Sequence, residues 1–397
     1  VGSYALDAAS GTGDYNTALG SNAMTSNTSG TENTALGYKT LNTTTTGTHN
    51  VAVGSNALYT NLDGGQNVAV GEKALYLNST GDQNVAMGTL ALYNNIVNAN
   101  TAVGFNAAVG NTDGLYNTAF GYQALNTNTQ GDGNTAIGYK ALYTANPTAD
   151  TGNSTAVGNL AGEDLSSGVN CVFVGRNAGS DVTSASYQVA IGTDALALQT
   201  TGEKNTAIGY QALYDANHAD ADANTAVGYK AGENVTQGAN NTFLGNIAGT
   251  SLTTGSNVTC IGNGSDASAS GATNEVVLGN SSIGHLRCQV NSISALSDRR
   301  DKTDINTLDL GLDFVDSLKP VKFKWDSREG LRKDGTYEAG FIAQDFQQIQ
   351  KDNDADYLDL VLDSNPDKLE AAPGKLIPIL VKAIQELSEE VKALKAN

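Results

Sequence analysis

The sequence predicts a mostly β protein in which a long parallel β-solenoid shaft precedes a small α+β domain. Three observations predict it. A unit of about 17 residues repeats through most of the chain. Glycine accounts for 45 of the 397 residues and aromatic side chains for only 6%, so an ordinary close-packed core is not expected. The repeat then stops, and the composition of the last hundred or so residues differs sharply.

The repeat is marked by a pentapeptide, Asn, Thr or Val, Ala, a large apolar residue and Gly. Successive glycines are mostly 17 residues apart, and the spacing departs from 17 only where a turn has lost or gained residues. Val1 and Gly2 read as the end of a further unit, so we expect more repeats upstream. The glycines are Gly20, Gly37, Gly54, Gly71, Gly88, Gly104, Gly121, Gly138, Gly158, Gly175, Gly192, Gly209, Gly228, Gly245, Gly262 and Gly279.

Each unit contains two short apolar segments and a turn. The pentapeptide alternates small and large side chains with period two, which predicts a strand. A second segment, such as YKALY or YQALY, predicts another short strand, and a Gly/Asn/Thr/Asp-rich turn closes the unit. Two such strands cannot bury a core alone, so the units are expected to stack, each strand pairing with its equivalents above and below.

The two side-chain rows of the pentapeptide predict how the shaft assembles. The third position is mostly Ala and the fourth is always large and apolar, from Leu19 to Leu278, and the alternation puts the rows on opposite faces. Ala suits the interior of a thin coil, so we expect an outward apolar stripe that is buried against other copies around a common axis. In the alternative, the large residues fill the coil and Ala faces the solvent.

Charge and cysteine content exclude several classes of partner. The formal net charge is −19, from 22 basic and 41 acidic residues, so neither nucleic acid nor an anionic membrane surface is expected to bind. The sequence contains no apolar run of about 20 residues, so no membrane-spanning helix is predicted. Cys171, Cys260 and Cys288 lie far apart without a His cluster, which predicts neither a disulfide nor a metal site. No cofactor is expected.

The repeat residues support a first resemblance. Over about residues 1–280, the AxG-containing units resemble the parallel β-roll heads of trimeric autotransporter adhesins and similar repeats of phage tail fibres. The adhesin heads use a shorter unit, so the cross-section of a coil need not be the same. The resemblance implies three parallel chains.

The composition divides the chain into three parts. We assign residues 1–287 to the shaft, 288–296 to a linker and 297–397 to a separate globular domain. The last part contains most of the basic residues and the only tryptophan, Trp325, and shows no 17-residue period. These features are typical of an independent domain.

Four sequence blocks of the last domain support a second resemblance. The blocks are SDRRDKTDI at 297–305, LKPVKFKW at 318–325, GFIAQDF at 340–346 and KLIPILVKAIQEL at 375–387. In this order they resemble the endosialidase-type intramolecular chaperone of phage tailspikes. The resemblance implies that the domain drives trimer assembly and then removes itself by one cleavage at Leu296–Ser297, with Ser297 as nucleophile and Lys302 as its base. We expect at most this single-turnover reaction and no multiple-turnover activity of the shaft.

The spacing of the dyad leaves two arrangements open. Residues five apart lie on different sides of a helix and on opposite faces of a strand. Either a turn brings Ser297 and Lys302 together, or the lysine comes from a neighbouring chain. Both arrangements could make cleavage depend on assembly.

The C-terminal segment 376–395 predicts a helix with a heptad seam. Its apolar residues alternate in steps of three and four with charged residues between them, which is typical of helices that pair between chains. Alternatively, the N-terminal half of the stripe packs on the core of its own domain. The seam residues are Ile377, Leu380, Ile384, Leu387, Val391 and Leu394.

These features predict a structural protein. The expected function is that of a homotrimeric tail fibre of a phage or phage-like particle, located on the virion, which presents a surface for a host receptor, a glycan or a surface protein, and contacts other tail or baseplate proteins. One alternative is a glycan-degrading tailspike whose enzyme domain lies upstream, although the acidic residues of the turns have no fixed carboxylate partner. The others are a bacterial surface adhesin and an ice-binding solenoid with rows of Thr.

Overall fold

The computed structural model divides the chain into two compact units, Val1–Gly279 and Asn280–Asn397. It describes residues 2–6, 13–148, 152–283, 285–287, 297–326, 335–363, 365–367 and 369–396. The predicted linker 288–296, with Leu296, and Cys288 lie outside the described residues, and the two units are treated separately below.

The first unit is a parallel β-solenoid, as the repeat predicts. Within its described residues, sixteen short strands form one sheet whose order is the order of the chain. Each strand pairs in parallel with equivalent residues of the next coil, as Thr17 does with Thr34. The strands are β1 Thr17–Leu19, β2 Thr34–Leu36, β3 Val51–Val53, β4 Val68–Val70, β5 Val85–Met87, β6 Thr101–Val103, β7 Thr118–Phe120, β8 Thr135–Ile137, β9 Thr155–Val157, β10 Val172–Val174, β11 Val189–Ile191, β12 Thr206–Ile208, β13 Thr225–Val227, β14 Thr242–Leu244, β15 Val258–Ile261 and β16 Glu275–Leu278.

The prediction of a second strand in each coil is wrong. In the segment after β2, Lys39 and Leu41 have φ values of 53° and 51°, so alternate residues are left-handed and no strand forms. The amide N–H of Lys39 donates to the carbonyl of Ser21 in the preceding coil, and that of Leu41 donates to Ala57 in the following coil. A coil this short must turn at once after the strand, and the alternating backbone turns while still bonding to both neighbours.

The interior of the solenoid is thin and is filled by two rows. The Ala residues of the strands, such as Ala52, are fully buried, and the opposite wall is supplied by the second segment, for example Leu58. The large apolar residues of the strands point outward instead, and Leu19 is 50% exposed. The prediction that Ala faces inward and the apolar stripe faces outward is therefore confirmed.

In two coils the inward side chain of the strand is unusually large and the facing wall has no side chain. β10 and β14 carry Phe173 and Phe243 where most other strands carry Ala, and both rings are fully buried. The Leu position of the opposite wall is then glycine. A Cβ added to Gly162 would lie 2.6 Å from Cδ2 of Phe173, and one added to Gly179 would also overlap this ring. The total interior volume is thus kept, as close packing requires.

A ladder of buried asparagines stabilises the turns. Asn67 is fully buried, and its Nδ2 donates to the carbonyl of Gly81 over 2.8 Å. Its Oδ1 accepts from the backbone N–H of Asn84, the equivalent residue of the next coil, over 2.9 Å. An amide side chain can satisfy a donor and an acceptor of the turn at once, which explains why Asn recurs at this place.

The described cysteines of the solenoid are free and buried. Desolvation raises the pKa of Cys171 to about 11 and that of Cys260 to about 12. Both thiols therefore stay protonated and pack as small apolar groups.

The second unit contains short helices and two antiparallel strand pairs. Its core is formed by Phe314, Phe346, Ile349, Leu360 and Ile379 with their neighbours. In the described part of the chain, no helix is long and apolar enough to cross a bilayer. The elements are α1 Leu312–Ser317, α2 Ala343–Asp352, α3 Ile377–Ala396, the strand pairs β17 Val321–Phe323 with β18 Glu338–Gly340 and β19 Val361–Leu362 with β20 Glu370–Ala371, and 3-10 turns at Arg299–Asp301, Asp356–Leu358 and Pro373–Leu376.

A double-mutant cycle can test whether the large side chain of Phe173 is compensated by the missing side chain of Gly179. We expect Phe173→Ala to lower the free energy of unfolding by about 3–5 kcal/mol through the cavity it leaves. Gly179→Leu alone should overpack the coil, although the next coil carries Leu196 at the equivalent position with a φ of 50°. The double variant restores the usual Ala and Leu pair, so it should be more stable than either single variant. Chemical denaturation midpoints measure this, and additive losses would contradict it.

Candidate functional site

The segment from Ser297 to Lys302 forms a compact polar turn. Its 3-10 turn, Arg299–Asp301, is capped by Asp298, whose side chain accepts from the backbone N–H of Arg300 over 2.8 Å. The turn reverses the chain so that Nζ of Lys302 donates to Oγ of Ser297 over 2.6 Å. A turn within one chain is therefore sufficient to bring the two residues together, and no lysine from a neighbour is needed for the contact.

Two of the charges beside Ser297 and Lys302 are paired with each other. The guanidinium of Arg300 binds the Asp298 carboxylate, with Nη2 and Oδ2 2.6 Å apart. Hydrogen bonds from the side chain and backbone of Arg300 hold the pKa of the Asp298 carboxyl below its usual range. The Asp298 carboxylate therefore stays ionised at neutral pH. It caps the turn and is paired with Arg300.

The dyad is open to water in the single chain. Ser297 and Lys302 are both exposed. A lysine acts as a general base only where desolvation or a nearby cation lowers its pKa toward neutrality. The contact between Ser297 and Lys302 is thus present, whereas the dry surroundings that a lysine base requires are not supplied by the described residues around it.

Helix α3 has two different apolar faces. Ile379 is buried in the core of the unit together with Leu376 just before the helix, and Ala383 is buried on the same helix. The predicted seam lies on another side and faces the solvent, so its N-terminal half does not pack on its own domain. The seam residues and their exposed fractions are Ile377 63%, Leu380 41%, Ile384 67%, Leu387 47%, Val391 40% and Leu394 77%.

A carboxylate that the sequence did not single out attaches α3 to α1. The N-cap residue of α1, Gly311, has no side chain, and the backbone N–H of Leu312 donates to Oε2 of Glu386 over 2.7 Å. Lys382 binds the other oxygen over 3.1 Å. The hydrogen bond from Leu312, followed by that from Lys382, lowers the pKa of Glu386 below its usual range. Any side chain at Gly311 would overlap this carboxylate.

The outward face of the solenoid sheet is a third candidate surface. Each strand of β1–β16 presents two side chains on this face, one Thr or Val and one large apolar residue. None of these outward positions, all of which are described, holds a charged residue. Across the described residues, no group of three or more His, Cys, Asp or Glu side chains could hold a metal ion.

Comparison with known families bears on the dyad. Residues 297–355 match the family described as chaperone of endosialidase, and the match begins at Ser297. It includes the first three of the four sequence blocks, whereas the block 375–387 lies beyond it. No curated protein matches the chain. The chain therefore contains a chaperone-of-endosialidase domain over the matched residues.

The carboxylate of Glu386 predicts an acid-sensitive attachment of α3. Because the folded pKa of Glu386 is lowered, its contribution to stability is present above the unfolded value of about 4.3 and is lost as the pH falls through the folded value. Fluorescence of Trp325, the only tryptophan, can follow unfolding of this unit as the pH is lowered.

The matched variants are Glu386→Gln and Glu390→Gln, a change on the exposed part of the same helix. We expect Glu386→Gln to destabilise the unit at pH 7 and to weaken the dependence of its stability on pH below about 4.5. Glu390→Gln should leave both unchanged. Equal behaviour of the two variants would contradict this role of Glu386.

Proposed function

We propose that this chain is a subunit of a homotrimeric attachment fibre of a phage or phage-like particle. The solenoid is the shaft, which presents a surface to a host receptor, a glycan or a surface protein, and the C-terminal unit aligns three chains during folding and then cuts itself off. Other tail or baseplate proteins hold the fibre, and the fibre is part of the virion.

The single observation that supports this proposal most is the outward sheet face without charge. The chain carries a formal net charge of −19, yet sixteen successive strands present only Thr, Val and large apolar side chains on this side. Phe120 is 56% exposed and Leu278 is 52% exposed in the single chain. An apolar face of this length is unstable in water, and a copy with the same face is the partner that the chain itself supplies.

The exposed seam of α3 supports assembly at the other end of the chain. Its six apolar residues repeat in steps of three and four and contact no buried core of the unit. Self-association fits the chaperone-of-endosialidase match, a domain type associated with trimers. Two independent surfaces, one on a sheet and one on a helix, thus favour the same partner.

The proposed cleavage uses the contact between Ser297 and Lys302. The neutral amine of Lys302 takes the proton of Oγ, and Oγ attacks the carbonyl carbon of Leu296. The C–N bond then breaks, Lys302 returns the proton to the nitrogen of Ser297, and an ester joins Leu296 to Oγ. Water hydrolyses this ester, which leaves a carboxylate on Leu296 and a fragment that begins with Ser297.

Exposure of the dyad provides a reason for coupling this reaction to assembly. A lysine that accepts a proton from a serine hydroxyl generally needs surroundings from which water is excluded. Burial of the turn by the assembled fibre would supply such surroundings. Cleavage would then follow correct assembly, so the aligning unit is removed only after its task is complete.

The oligomeric state tests the shaft interface. In an uncleaved Ser297→Ala background, sedimentation should give the mass of three chains. Ile191→Asp puts a charge on the outward face, and we expect it to weaken association by about a hundredfold or more, because a buried unpaired charge costs several kcal/mol per chain. Ser167→Asp, on an exposed turn, is the control and should remain trimeric. A monomeric parent chain would sink the proposal.

Intact mass spectrometry tests the cleavage. The wild-type chain should yield a fragment that begins at Ser297, and Ser297→Ala should remain whole. Lys302→Arg keeps the positive charge but removes the base, so it should cut at least about a hundredfold more slowly. Arg299→Ala, a neighbour outside the dyad, should cut at nearly the normal rate. Normal cleavage in Lys302→Arg would contradict the assigned base.

A further inference from the structure

Five exposed aromatic side chains of the solenoid lie around one strand. Phe105 follows β6, Tyr116 precedes β7, Phe120 ends β7, Tyr122 follows it, and Tyr139 follows β8. We call these five residues the aromatic patch. All are exposed, Tyr116 to 68%, and their rings partly stack, with 5.4 Å between the centroids of Phe105 and Tyr122 and 5.5 Å between those of Tyr122 and Tyr139.

Apart from Phe120, the two outward side-chain rows of the strands are nearly the same at every level. Strands pair residue for residue, so that a shift by one coil replaces Leu19 by Leu36 or Val51 by Val68. Coils of unusual length do not disturb this pattern, because their extra residues lie in turns and Ile137 still pairs with Val157. Two copies could therefore slide past each other by one strand spacing, about 4.8 Å, with little change in apolar contact.

Phe120 makes one of these axial positions different from the others. It is the only aromatic residue among the outward positions of β1–β16, and its neighbours along the row are Val103 and Ile137. When two chains are aligned, the step in side-chain volume occurs at the same level in both. After a shift by one coil, each ring faces a smaller β-branched side chain, which leaves a gap at one level and an overlap at the next.

Building on the proposed function, we propose that the aromatic patch fixes the axial register of the shaft by packing against the same patch of sister chains. Large aromatic side chains are the usual energetic centres of protein interfaces, and the patch differs from the other exposed aromatic side chains, such as the stacked pair Tyr210 and Tyr229, in having Phe120 in the outward row of the sheet. The uniform rows above and below add apolar contact, whereas the patch decides which levels meet.

Electron cryomicroscopy of the uncleaved Ser297→Ala fibre, reconstructed without imposed symmetry, tests the arrangement. The expected result is that the Phe120 rings of all chains lie at one axial level inside the interface. A trimer whose Phe120 rings face the solvent, or lie one coil apart, overturns this inference and leaves the proposed function standing. A monomer overturns both, and sedimentation distinguishes the two failures.

A second experiment separates register from mere apolar area. The double change Phe120→Ile with Ile137→Phe moves the ring by one coil without changing composition. We expect this chain to form trimers with itself, but to mix with the Phe120 chain at least about tenfold less than random assortment, since 1.4 kcal/mol of mismatch is a factor of ten. Native mass spectrometry of two co-expressed, differently tagged chains measures the mixed trimers. Random mixing overturns the inference, because register would then be set elsewhere.

A control variant tests whether the loss of trimer stability is specific to the level of Phe120. Phe120→Val should lower the melting temperature of the trimer by about 5 °C or more, whereas Ile137→Val, one coil away in the same row, should lower it much less. Equal shifts for the two variants contradict a special role of the aromatic level.

Discussion

The shaft depends on one constraint: a coil of about 17 residues is too small to bury anything by itself. Each strand is only three or four residues long, and its hydrogen bonds go to the coils above and below. The interior between the two walls is correspondingly narrow, so that Ala on one wall meets Leu on the other. Where a strand carries Phe173, the facing wall must give up its side chain altogether, as it does at Gly179.

The same constraint determines what lies outside. Because the interior accepts only one row of small strand residues, the large apolar residues of every strand face away from it. The thin coil therefore creates an apolar surface as long as the shaft, and the chain cannot remove it by folding alone. The second unit has the corresponding feature on α3, whose inward face is anchored by Ile379 and whose outward seam is free of intramolecular core contacts.

Much of this could be predicted from particular residues. The alternation of Ala with large apolar residues predicts the parallel solenoid and its inward face, and SDRRDKTDI with the two blocks that follow predicts the resemblance that the family match over residues 297–355 supports. The second segment was predicted as a strand because no glycine marks the left-handed residues Lys39 and Leu41. Glu386 was missed because its partner Leu312 lies 74 residues away in the sequence, and such a contact has no local signal. The turn that joins Ser297 to Lys302 had a cue in Asp298, a residue type that often caps turns.

The direction of the hydrogen bonds in the solenoid has a mechanical consequence. Bonds such as that from the Lys39 amide to the Ser21 carbonyl connect one coil to the next and so run along the stack, not across it. A pull on the two ends of the solenoid loads these bonds end to end, and the coil with the poorest contacts opens first. Because each coil contacts only its neighbours, we expect stretching of the solenoid to open it coil by coil.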